Sequence, residues 1–177
     1  MSNDNIPDLV DPLKLSKSRG VLEGSLPLSR LARAVGLLVS NEGDLQYKIL
    51  FDIDHEDVPF LEGNVTGSVQ LRCQRCMESL VHELQVSFKL SPVHRESQGS
   101  ELPTEYEAIV MDEGKISPLR LIEDELILSL PLVPKHDEGD ATCQVEVDTS
   151  QSENEEETLE KPFEVLKSLK IKVKRKE

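Results

Sequence analysis

Two of the chain's three cysteines, Cys73 and Cys76, stand in the stretch VQLRCQRCMESL (69–80), with Arg75 between them. This C-x-x-C spacing lets one tight turn aim two thiolates at a common point, supplying half of a tetrahedral zinc site. Candidates for the other half follow in PKHDEGDATC, as His136 and Cys143. Together they make a Cys3His set, which is saturated and therefore structural rather than catalytic. Fifty-nine residues separate Cys76 from His136, so the two halves meet only if the fold brings them together. The same residues admit two other readings. One is a pair of small buried thiols, since free Cys is among the most buried residue types. The other is a thiol redox sensor, but such pairs sit where a strand enters a helix whose N-terminus lowers the thiol pKa. Here a second strand-like segment follows the pair.

The elements that must position these residues are readable from periodicity. Leu45, Tyr47, Ile49, Phe51 and Ile53 alternate with mostly polar neighbours, as do Val65, Val69 and Leu71, and Leu84, Val86, Phe88 and Leu90. Those are half-buried strands, and a weaker one is expected at 106–111. One-sided strands favour an antiparallel sheet. Leu28, Leu31, Val35 and Leu38 fall at helical spacing, which predicts a helix over 25–38 capped by Ser25, with Arg30 and Arg33 on its exposed flank. In SPLRLIEDELILSLP (117–131), Ser117 can cap a second helix, Pro118 suits its first turn and Pro131 ends it. The expected fold is a single α+β domain, an antiparallel sheet or partly open barrel with two to three helices.

Around that core domain, 14–136, residues 1–13 are expected to be a flexible lead-in. Residues 137–160 hold ten Asp or Glu and no Lys or Arg, a composition expected to stay disordered. Residues 161–177 are expected to form a short amphipathic helix and a basic tail. The chain has 177 residues, 37% of them hydrophobic and 3% aromatic, so its core is built from Leu, Val and Ile. No apolar run approaches the roughly 18–20 residues that cross a membrane, and the N-terminus lacks the pattern of a secretory signal. An odd, small number of cysteines argues against a disulfide framework and for a reducing cytoplasm.

The net charge of −14 is uneven: residues 161–177 carry seven basic and two acidic groups, +5, which leaves −19 for the rest. An acidic body fits a basic protein partner, while a basic tail fits phosphate. The candidate RNA contacts are Lys14, Lys17 and Arg19 near the start and Lys170, Lys172, Lys174, Arg175 and Lys176 at the end. Neither group has interleaved aromatics for base stacking, so phosphate contacts with steep salt dependence are expected. No G-x-S-x-G, Walker loop, G-x-G-x-x-G or H-E-x-x-H occurs. A metal-dependent RNA-processing enzyme would have to use Glu123, Glu125 and His136. Adjacent helix positions point about 100° apart, however, so Glu123, Asp124 and Glu125 cannot converge on one ion unaided.

The combination of LRCQRCMESL, LIEDELILSLPLVPKHDE followed by Cys143, and KPFEVLKSLK resembles the YceD family of large-ribosomal-RNA-subunit accumulation proteins. The likeness runs from about Asp11 to Leu169. It implies a cytosolic factor needed for normal levels of large-subunit (23S) ribosomal RNA. The expected role is non-catalytic, in synthesis, processing or stability of that RNA or its precursors, and the acidic body is expected to dock on basic ribosomal or assembly proteins. Cys73, Arg75, Cys76, Glu123, Glu125, His136 and Cys143 match its recurring positions. Arg75, Glu123 and Glu125 are expected to be partner contacts, with Arg75 presented at a hairpin tip beside a structural Zn2+. The long acidic insert and the ending IKVKRKE depart from the family pattern.

Overall fold

In a computed structural model, which describes residues 6–137 together with Asp140 and Cys143, the alternating segments become one five-stranded sheet. Its strands are β1 (Val21–Pro27), β2 (Asp44–Ile53), β3 (Pro59–Arg72), β4 (Ser79–Val93) and β5 (Glu107–Val110), lying side by side in chain order. β1 to β4 form an antiparallel meander. β5 joins β4 in parallel, so the sheet is open and mixed rather than wholly antiparallel.

The period of two does what it predicts. Leu45, Tyr47, Ile49 and Phe51 of β2, Leu61, Val65, Val69 and Leu71 of β3, and Leu84, Val86, Phe88 and Leu90 of β4 are all buried in one core. The register is specific enough to need a glycine. Gly63 lies opposite Phe88, and a Cβ at position 63 would overlap the Phe88 ring.

Among the described residues three α-helices accompany the sheet: α1 (Pro12–Ser18), α2 (Ala32–Val35) and α3 (Pro118–Ser129). α3 starts as its sequence dictates, with the Ser117 hydroxyl accepting from the Arg120 amide at 3.4 Å and Pro118 in the first turn. Leu121, Ile122 and Leu126 then enter the core. The helix expected over 25–38 does not form as one element. Ser25 lies inside β1, opposite Gln46, and the helical spacing is met by a 3₁₀ turn (Leu28–Arg30) and the four residues of α2. The edge of β2 offers residues 21–27 a full ladder, and Pro27 sits at its last rung, where a missing N–H is tolerated. Leu28, Leu31 and Ala34 still point inward and are buried.

The segment before α1 also differs from a loose lead-in. Ile6 is buried, Val10 and Ile116 exchange backbone hydrogen bonds of 2.9 Å, and Asp11 caps α1 by accepting from the Lys14 amide. All described residues belong to the unit Met1–Gln144. The amphipathic helix and basic tail expected over 161–177, and the acidic stretch apart from Asp137, Asp140 and Cys143, lie outside the described residues. Among the described residues no helix is long and apolar enough to cross a membrane.

Candidate metal centre

The β3–β4 hairpin is the longest feature of the sheet, with strands of 14 and 15 residues. At about 3.3 Å per residue it reaches roughly 45 Å. Its paired residues run out to Arg72 opposite Ser79, and the six residues between them form the tip. There the Cys73 amide donates to the Glu78 carbonyl at 2.9 Å and the Met77 amide to the Cys73 carbonyl at 3.0 Å. Met77 turns the chain back in the left-handed region, at φ 65°. This turn holds both cysteines of C-x-x-C on one side.

After α3 the chain returns across the tip as a strap. The Gln74 amide donates to the Pro134 carbonyl at 2.8 Å, which seats residues 134–137 against the turn. His136 and Cys143 are thereby delivered to the hairpin cysteines. The Sγ atoms of Cys73 and Cys143 are 3.7 Å apart, and Cys76 Sγ lies 3.5 Å from His136 Nδ1. All four donor atoms fall within 4.8 Å of one another. Adjacent ligands of tetrahedral zinc, at their ordinary bond lengths, are about 3.8 Å apart for two sulfurs and about 3.6 Å for sulfur and nitrogen. The two measured edges match both values. The donors fit zinc in type, number and spacing, and the three thiols are free of disulfides.

The surroundings favour thiolate at Cys73 and oppose it at Cys76. Burial opposes ionisation of Cys73, but backbone hydrogen bonds from Cys76, His136 and Arg75, joined by the Cys76 side chain, bring its thiol down to about 5. One of them, from the Arg75 amide to Sγ, measures 3.4 Å. At Cys76 the Glu78 backbone amide favours the thiolate, yet burial and the neighbouring Cys143 and Cys73 outweigh it and the thiol rises. Hydrogen bonding to Cys143 and then Cys73 raises the His136 imidazole. Without a cation the cluster thus retains protons that a metal ion would displace.

Arg75 does not simply project from the tip. Its Nε donates to Cys143 Sγ at 3.0 Å, and its Nη2 to the carbonyls of His136 at 3.3 Å and Asp137 at 3.4 Å.

Glu123, expected as a partner contact, is a correction, because it is only 5% exposed and fully engaged inside the fold. Its Oε1 accepts from the amides of Arg33 at 2.6 Å and Ala34 at 3.2 Å, and its Oε2 from Arg33 Nε at 2.9 Å. It therefore caps the start of α2, where no local side chain does so. Arg33, expected on an exposed flank, also pairs with Asp124 at 2.7 Å. Glu125 is half-buried on another side of α3, its carboxyl raised by burial and then by Glu107 and Asp124. Glu123 and Glu125 do not join His136 around one point: among the described residues that cluster is made by Cys73, Cys76, His136 and Cys143.

Lys14, Lys17 and Arg19 are exposed on and just after α1, Arg19 bridging to Asp52 at 3.2 Å. α1 touches β3 near its beginning, where Ser16 Oγ donates to the Phe60 carbonyl. Twelve residues of β3 separate Phe60 from Cys73, so these cations stand roughly 40 Å from the tip. Lys170, Lys172, Lys174, Arg175 and Lys176 lie outside the described residues. The Arg33–Glu123 pair and the inward turn of Arg75 have no signature in the sequence. Each joins residues 60 or more positions apart, and no local pattern marks them.

The family model for large ribosomal RNA subunit accumulation protein YceD matches residues 61–170. A Haemophilus influenzae protein of that name is 35% identical over 176 residues, covering 97% of this chain and 100% of the relative. The chain belongs to the YceD family. The YceD match contains all four donors, Arg75 and Glu123, together with α3 and all of the hairpin but its first two residues. No solved structure matches the chain.

Proposed function

We propose that the chain is a non-catalytic, cytoplasmic factor in the synthesis, processing or stability of large-subunit ribosomal RNA, built around a structural Zn2+ held by Cys73, Cys76, His136 and Cys143. The carrying observation is the near full-length likeness to a protein named for accumulation of that RNA. Four protein donors fill a tetrahedral shell and leave no position for substrate or activated water, which supports a structural role for the metal. The same metal would staple the strap to the hairpin tip and fix a rigid surface there. On this reading the acidic body, −19 without residues 161–177, docks on basic ribosomal or assembly proteins. Lys14, Lys17, Arg19 and the basic end contact phosphate.

The test is a sucrose gradient of cell lysate probed for this protein, run with and without ribonuclease and at low and high salt. It is read alongside precursor and mature large-subunit RNA in cells lacking the chain. Co-migration with large-subunit precursors, lost on nuclease or salt treatment, together with a deficit of that RNA in the deletion strain, is the expected result. Unchanged RNA levels and a protein that stays at the top under every condition would overturn the reading.

A further inference from the structure

We propose that Arg75 is a positioning residue of the metal centre, an inference that rests on the zinc reading above. Zn2+ bound by three thiolates and a neutral imidazole carries 2 − 3 = −1. Cys73 is fully buried and Cys143 is 6% exposed, so part of that charge sits away from water. The surrounding chain is itself strongly acidic. An uncompensated buried charge is unfavourable, and a cation in contact with it relieves the penalty. Among the described residues, Arg75 is the only cationic side chain hydrogen-bonded to a cluster sulfur, at 3.0 Å, and it brings the total to zero.

The guanidinium does more than supply charge. While Nε holds Cys143 Sγ, Nη2 reaches the carbonyls of His136 and Asp137. One planar group thus grips both strap ligands from the turn that carries the two hairpin ligands, and its own amide donates to Cys73 Sγ. Arg75 therefore touches three of the four ligand residues from the third position of C-x-x-C. A lysine there would keep the charge, but its point-like ammonium lacks the fork that bonds a sulfur and two carbonyls at once. Outer-shell partners of this kind set ligand orientation, and their loss lowers metal affinity about 10–100-fold.

The experiment uses the full, untagged chain purified under reducing conditions, as wild type, Arg75→Ala, Arg75→Lys and Arg72→Ala. The last is a control one residue outside the turn. Zinc per chain is counted by elemental mass spectrometry, and zinc transfer to a colorimetric chelator is then timed. In parallel, Co2+ is exchanged into the site and its thiolate-to-cobalt charge-transfer band recorded. We expect one zinc per wild-type chain, release about 10–100-fold faster from Arg75→Ala, intermediate release from Arg75→Lys, and wild-type release from Arg72→Ala. Losing the hydrogen bond to Cys143 Sγ makes that sulfur a better donor, so the cobalt band moves to lower energy in Arg75→Ala. A purely scaffolding role would leave the band in place.

Zinc in the wild type with unchanged release and an unchanged band in Arg75→Ala overturns this proposal alone. Absence of zinc from the wild type overturns the metal reading and this proposal with it. If Arg75→Ala does not fold, Arg75→Lys decides: wild-type release from that variant overturns the role of the fork.

Discussion

Cys73 and Cys143, seventy positions apart in the chain, meet with their sulfurs 3.7 Å apart at the tip of the β3–β4 hairpin. Neither residue is placed by its own neighbours alone. Cys73 is set by the turn after β3, and Cys143 by a strap that crosses that turn through Pro134, His136 and Asp137. Their encounter joins the end of the sheet to the chain that leaves α3.

On the proposed zinc reading, removing the metal should release the strap and spare the sheet. The apolar core, from Ile6 to Leu126, includes none of the four candidate ligands. Chelation of the zinc-loaded chain is therefore expected to leave far-ultraviolet circular dichroism nearly unchanged while exposing the Lys135–His136 bond to trypsin. Cys143→Ser should behave like the chelated wild type. Loss of all strand signal on chelation would show that the metal holds the whole fold, as in small zinc fingers.

Glu123 predicts both a mutational and a pH effect. Substituting alanine strands the Arg33 and Ala34 amides and frees Arg33, and should destabilise the chain by about 2–4 kcal/mol in urea unfolding. Burial opposes the Glu123 carboxylate, but hydrogen bonds from the Arg33 side chain and the Arg33 and Ala34 amides outweigh it and hold the carboxyl below its ordinary value. On acidification the unfolded chain takes up this proton first. The stabilisation is therefore complete above the unfolded value of about 4.3 and is lost as pH falls through the lower folded value. The stability gap between wild type and Glu123→Gln should accordingly shrink from neutral pH to about pH 3.

At Gly63 the expectation is steric. Alanine would drive a Cβ into the Phe88 ring, at a penalty of about 1–3 kcal/mol in thermal or urea unfolding. The double variant Gly63→Ala, Phe88→Leu should lose less than the sum of the two single changes, because leucine vacates the overlap. Strict additivity would mean that the two positions do not meet.

The α1 cations give a prediction in salt. If Lys14 and Lys17 neutralise phosphates, replacing both with Gln should weaken binding to large-subunit RNA fragments. It should also flatten the dependence of log affinity on log salt by roughly one for each phosphate left without its lysine. An unchanged slope in fluorescence anisotropy would assign RNA binding to other residues.

Much of this architecture was legible because one face of the sheet is apolar and one is wet, which writes a period of two into β2, β3 and β4. α3 was legible because Ser117, Pro118 and Pro131 punctuate it. β1 was not, since Leu28, Leu31, Val35 and Leu38 sit at helical spacing although only Ala32–Val35 is α-helical. α1 was hidden in a polar segment whose one cap, Asp11, resembles any turn aspartate. At the Cys3His cluster the four residue types and the C-x-x-C turn could be read directly. Their convergence could not, because it depends on the path of the strap after α3. The direction of Arg75 likewise follows from where Cys143 arrives.

The strict chain-order layout of the sheet also sets a sequence of events during synthesis. Each of β2 to β4 pairs with the strand made just before it, so these hairpins can form as the chain lengthens, through pairings close in sequence. Cys73 and Cys76 then wait through the synthesis of β4, β5 and α3 before His136 and finally Cys143 emerge. Closure of the tip thus waits for the last of its residues to be made, and only a chain translated past residue 143 can complete it.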